Sequence, residues 1–168
     1  MRFFLLLLTC QCFVIMLNAQ SQPPSSHLPA IASTMQTYSV RLKPGQDLKK
    51  ALEMIIQQER ISAGALLTCV GSLTDVTLRL ANQEAPSVWK GHFEIVSLVG
   101  ILSVNGSHIH LSVSDSTGRT IGGHLLDGCI IYTTAELVIG VMPELIYARE
   151  PDPTFGYKEL VVRKKQKK

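Results

Sequence analysis

One amphipathic helix set against a long series of strand-patterned runs narrows the fold more than any other feature. Asp47 can cap a helix running to about Arg60. Leu48, Ala51, Leu52, Ile55 and Ile56 share one face of it, and Lys49, Lys50, Glu53, Gln57 and Gln58 fall mostly on the other. That apolar face is suited to packing on a sheet. Residues 38–42 alternate as a first strand, and Lys43-Pro44-Gly45 turns the chain. Beyond Gly64 the pattern is strand-like. Residues 65–70 are a continuous apolar run, as in a buried strand. A turn is predicted at Gly71-Ser72-Leu73, a further strand at 75–80, and a loop at Ala85-Pro86-Ser87. Residues 92–103 form a long strand bent at Gly100. Asn105-Gly106 is a strong hairpin turn. Strand-like runs follow at 108–115, at 119–125, at 129–133 continuing as 135–141, and at 158–162. One helix and about seven strands, mostly joined by short turns, predict an α+β domain: an antiparallel β-sheet with the helix packed on it.

The ends of the chain differ from this body. Residues 1–19 carry one base, a short apolar core and Ala19 at a cleavage-like position, the parts of a signal peptide. The run is short for a stable membrane span. Residues 20–34 are a linker rich in Ser, Pro and Gln, 36–162 the domain, and 163–168 a basic tail. With the leader in place the protein is expected in the secretory pathway or outside the cell. Translation from Met35 gives instead a cytoplasmic or nuclear form. Of the 168 residues, 46% are hydrophobic and 17% charged, a globular balance. The formal charge of +3 is not spread evenly: residues 35–162 hold 10 bases against 13 acids. The body therefore offers no broad phosphate-binding face. Cys69 and Cys129, each in an apolar segment, read as two buried free thiols.

Three of the five histidines gather in one strand–turn–strand unit. His108 and His110 are two apart and so face the same way on a strand. His124 returns on the next strand. A three-residue loop, Ser116 to Gly118, sets it opposite His110. A two-residue loop sets it opposite Leu111, on the wrong face, unless Gly122-Gly123 carries a bulge. Three imidazoles are a common zinc set with water in the fourth position. On the residues alone, polar surface or hydrogen-bonded core is the commoner role for three such rings. Asp115, Asp127 and Glu136 are near enough in sequence to orient a ligand ring. Glu94 is the one general-base candidate for a hydrolytic reaction. His92 reads as strand surface and His27 as linker. Asn105-Gly106-Ser107 is a glycosylation sequon that matters only in a secreted form. The chain has no phosphate loop, no Gly-x-Ser-x-Gly and no nucleophilic Cys with a placed His.

Five blocks in order resemble the PPC domain, also called DUF296 or PD1-like. They span residues 64–73, 91–100, 108–125, 133–137 and 156–161. The resemblance is to stand-alone prokaryotic-type members, which carry the same His-x-His and Gly-Gly-His pieces, rather than to plant AT-hook proteins. It implies an antiparallel sheet with one helix, a homotrimer, and a metal site at His108, His110 and His124. No Arg-Gly-Arg-Pro core of an AT-hook occurs in the chain. The expectation is a trimeric protein with a zinc-type site of three histidines and a non-enzymatic binding or regulatory role toward a small ligand or a protein. Two alternatives stand beside it: a DNA-associated protein acting through its basic tail, and a zinc-dependent hydrolase of unknown substrate.

Overall fold

The computed structural model describes residues 30–154 and 156–166, so the leader, most of the linker and His27 lie outside the described residues. Its elements run β1 (Gln36–Leu42), α1 (Leu48–Gln58), β2 (Gly64–Arg79), β3 (Ser87–Leu102), β4 (His108–Ser114), β5 (Thr120–Leu125), β6 (Ile130–Val141), β7 (Leu145–Pro151) and β8 (Lys158–Lys164). Six strands form an antiparallel sheet in the order β1-β6-β2-β3-β4-β5, and β7 and β8 form a separate hairpin. The end of β2 also pairs with β5, through Leu78↔Leu125 and Arg79↔His124, which closes the β2-to-β5 part of the sheet on itself. Among the described residues no helix is long and apolar enough to cross a membrane.

The helix is anchored at its start. Asp47 Oδ1 accepts from the backbone N–H of Lys49 at 3.0 Å and of Lys50 at 3.2 Å, and Oδ2 accepts from Gly128 N–H at 2.7 Å. One carboxylate thus satisfies free donors of the first turn and ties the helix to the turn before β6. Leu48, Ala51, Leu52 and Ile56 are buried and join Leu73, Val76, Leu78, Leu111, Val113 and Ile131 in one core. Each such large side chain contributes about 1.5–3 kcal/mol when fully buried. Cys69 and Cys129 are free and buried, and burial pushes their thiols up to about 12 and about 11.

The antiparallel α+β architecture is the one expected, and the differences lie in its edges. Residues 71–73 do not turn: β2 runs through them, with a register shift against β6 between Gly71 and Leu73. The glycine is there for close approach. A Cβ on Gly71 would lie 2.1 Å from Thr134 O, and its φ is +155°. β3 begins at Ser87, inside the expected loop, and β7 is an eighth strand that the pattern did not show. Arg163 and Lys164, assigned to the basic tail, belong to β8, and Arg163 pairs with Glu150 across the hairpin. The expected linker is fastened at its end: Ser33 Oγ, Thr34 N–H (2.8 Å) and Thr34 Oγ1 (2.9 Å) all donate to the Glu144 carboxylate.

Gly71→Ala forces the β6 backbone away and is expected to cost at least about 2 kcal/mol in urea unfolding. Gly118→Ala, with open space around it but a φ of +80°, should cost about 1 kcal/mol. Equal costs would contradict the close-approach account.

Candidate metal centre

The β4–β5 hairpin has the three-residue loop. Ser114 pairs with Thr120 and His110 with His124, with no bulge at Gly122-Gly123. Asp115 and Arg119 close the loop, Asp115 N–H donating to Arg119 O and Gly118 N–H to Asp115 O, both at 3.0 Å. Gly118 takes the left-handed conformation that such a loop demands. The Asp115 carboxylate accepts from Thr117 and Arg119, and these bonds hold it below the usual carboxylate range.

Register then gathers the rings. Directly opposed residues of an antiparallel pair share a face. Val99 on β3 opposes His110, His110 opposes His124, and His124 opposes Arg79. These four form a row across the sheet, and His108 joins it from two residues along β4. Ile109, Leu111 and Val113 between them point into the core, so the histidine row is on the outer face. His108 Nε2 lies 3.1 Å from His124 Nδ1, and His110 Nε2 lies 3.2 Å from the same atom. The potential ligand nitrogens all lie within 4.8 Å of one another. A ring nitrogen carries one lone pair or one proton and makes one linear hydrogen bond, yet two others crowd this one. Tetrahedral zinc with Zn–N of about 2.05 Å sets its nitrogens about 3.3 Å apart. The donor set and the two short spacings fit such an ion.

Burial, then Arg149, holds the His108 ring below the ordinary imidazole value; burial, then Arg79, does the same for His124. Both rings line a cleft of about 920 Å³. Arg79, Asn82, Gln83 and Glu84, from the end of β2 and the loop after it, line it together with Arg149, Tyr157 and Glu159 of the β7–β8 hairpin. Arg79 alternates on its strand as any surface residue would, and Arg149 belongs to the strand that the pattern concealed, so neither carried a signal in the sequence.

The other residues singled out are not brought to the rings. Glu94 opposes Ser114 on β3, roughly 15 Å along the strand from Val99. Asp127 accepts from Lys49 Nζ at 2.7 Å, and Glu136 opposes Arg41 and Val70 on β6. The His92 ring sits against Tyr132, with centroids 4.4 Å apart. Asn105 Nδ2 donates to Tyr147 O at 3.0 Å, so the sequon amide is engaged in the fold.

A model of the Plants and Prokaryotes Conserved (PCC) domain matches residues 30–143, well over half of the chain. The chain belongs to the PCC domain family. This is the domain that the five sequence blocks resemble. A hypothetical protein from Salmonella enterica shares this chain's fold at a TM-score of 0.80 and 45% identity, covering 81% of this chain and 99% of that one. The bifunctional protein GlmU of a Synechococcus strain is 44% identical over 147 residues, 88% of this chain. The chain spans only 23% of that protein's length. A metal-containing protein from Archaeoglobus fulgidus shares the fold at a TM-score of 0.70 and 20% identity, over 80% of this chain and 99% of that one.

His108 and His124 bind fewer protons in the native PCC domain than in the unfolded chain. Metal-free protein is therefore expected to lose stability as pH falls below about 6.5, until both rings are charged in the native state too. Urea midpoints at pH 7.5 and 5.5 measure this. His108→Asn/His124→Asn should shrink the difference, and a difference unchanged by that variant would refute the assignment.

Proposed function

We propose that this PCC-domain protein is a homotrimer in which His108, His110 and His124 hold one divalent metal per chain, zinc by donor type, in a binding or regulatory role. The observation that carries the reading is the convergence of three imidazole nitrogens on one point of the outer sheet face. When bound, the ion supplies a coordination position open to a ligand atom. The protein's part is to fix the three rings by strand register and to give access from the cleft. A relative of the same fold is a metal-containing protein, which supports the reading. Proton transfer by Glu94 is disfavoured by its distance along β3, so the hydrolase alternative loses its one named base. The nucleic-acid alternative loses part of its tail, since Arg163 is paired with Glu150 and Lys164 is in a strand.

The trimer reading rests on apolar residues that face outward. Bulges interrupt β2 against β6 between Leu66 and Thr68, and β3 against β4 between Ile95 and Ser97. Leu67 and Val70, three apart, are both exposed, as are Val96 and Val99. The β2–β3 register is the same on both sides of this interval, so Leu67 stands across from Val99 and Val70 from Val96. Val70 is 64% and Val96 58% exposed, an apolar surface that a second copy of the chain would cover.

Protein purified without chelator should carry about one metal per chain by elemental analysis, and His108→Ala/His110→Ala should carry less than a tenth of that. Metal-free native protein, or full occupancy in the variant, overturns the site. Light scattering should give three chain masses for wild type and one for Val70→Asp/Val96→Asp. A monomeric wild type removes the trimer.

A further inference from the structure

We propose that the cleft over the histidines receives a small organic dianion, with Arg79 and Arg149 clasping its oxyanion groups and the metal taking one of its oxygens. The inference rests on the metal reading and names the ligand class for that site.

Arg79 is placed by register, since its Cα partner is His124. Arg149, on the β7–β8 hairpin, lines the same cleft. Both are half-buried, and neither has a carboxylate within ion-pair distance among the described residues. Arg79 Nη1 makes one long contact to Gln83 O at 3.5 Å, and Arg149 Nη2 donates to Lys158 O. Most of the five donors on each guanidinium remain free, in the planar fork that matches carboxylate and phosphate oxygens.

Charge balance points the same way. Two guanidiniums and the carboxylates of Glu84 and Glu159 line the cleft, so the protein contributes no net charge there. A divalent ion on neutral imidazoles then leaves a double positive charge, which a dianion cancels. The volume, about 920 Å³, suits an organic molecule. Tyr157, 70% exposed, adds an aromatic side chain to the lining.

The test uses the full chain loaded with cobalt(II), whose visible bands report a new ligand on the metal. Metal content is measured first, on wild type, Arg79→Gln, Arg149→Gln and the double variant. Succinate and inorganic phosphate are then titrated separately, with succinamide as the uncharged control. The expected result is saturable band shifts with one or both anions and none with succinamide. Each single variant should bind at least tenfold more weakly at unchanged metal content. Lysine in place of either arginine, keeping the charge but not the fork, should fall between. The anion that binds more tightly identifies carboxylate or phosphate as the headgroup. Equal binding by the double variant, or no anion binding by metal-loaded wild type, overturns the proposal and leaves the metal site standing. Failure of wild type to take up cobalt overturns both.

Discussion

The pairing of His110 with His124 is the constraint from which the rest of the site follows. It depends on a loop of three residues, and that loop depends on Gly118 occupying a conformation that most side chains resist. One residue fewer would send His124 to the opposite face, among Leu111 and Val113. Because β5 also pairs with β2, the same register that sets His124 beside His110 sets it beside Arg79. A metal-type donor set and a cation are therefore placed by one ladder, without any loop having to hold them. Strand-borne side chains lose little freedom on binding, which is why a site of this kind can be built on an exposed sheet face.

What could be read in the chain was what short-range periodicity encodes. The helix and its Asp47 cap, the His-x-His face and the two thiols all follow from spacing within a dozen residues. The histidine register was legible only as a condition, because loop length is not written in apolar pattern. Gly71 shows a different limit. A glycine at the end of an apolar run has the same appearance whether it turns the chain or admits another backbone, and here Thr134 decides it from 63 residues away in sequence. β7 was hidden because Leu145 and Ile146 follow Pro143 in a short mixed segment, whose pairing with β8 is long-range. Arg149, and with it half of the cleft, was hidden for the same reason.

The bulges give the outer face its character. Strict alternation along β2 and β3 would send Leu67 and Val70 to opposite sides, since they are three apart. An extra residue in each strand brings both outward, and does the same for Val96 and Val99. Exposing four apolar side chains on adjacent strands is costly for an isolated chain and is relieved by association. Val99 is also the end of the row that runs through His110 and His124 to Arg79. The proposed subunit contact and the proposed metal site therefore share a sheet surface, with the histidines between an apolar flank and a charged one.

In the proposed site that arrangement favours metal before anion. Without an ion, the cleft's guanidiniums are offset by Glu84 and Glu159, and long-range attraction for an anion is weak. Burial lowers the proton affinity of His108 and His124, so protons compete less with a metal for these rings. In the proposed site, occupation by a divalent cation would take the cleft from no net charge to a positive one in one step. An anion and a cation that each neutralise the other's charge bind with positive coupling, and the coupling is reciprocal: whatever tightens the anion also tightens the metal. Under the two proposals the site would respond to metal and ligand together, with no moving part beyond the side chains of Arg79 and Arg149.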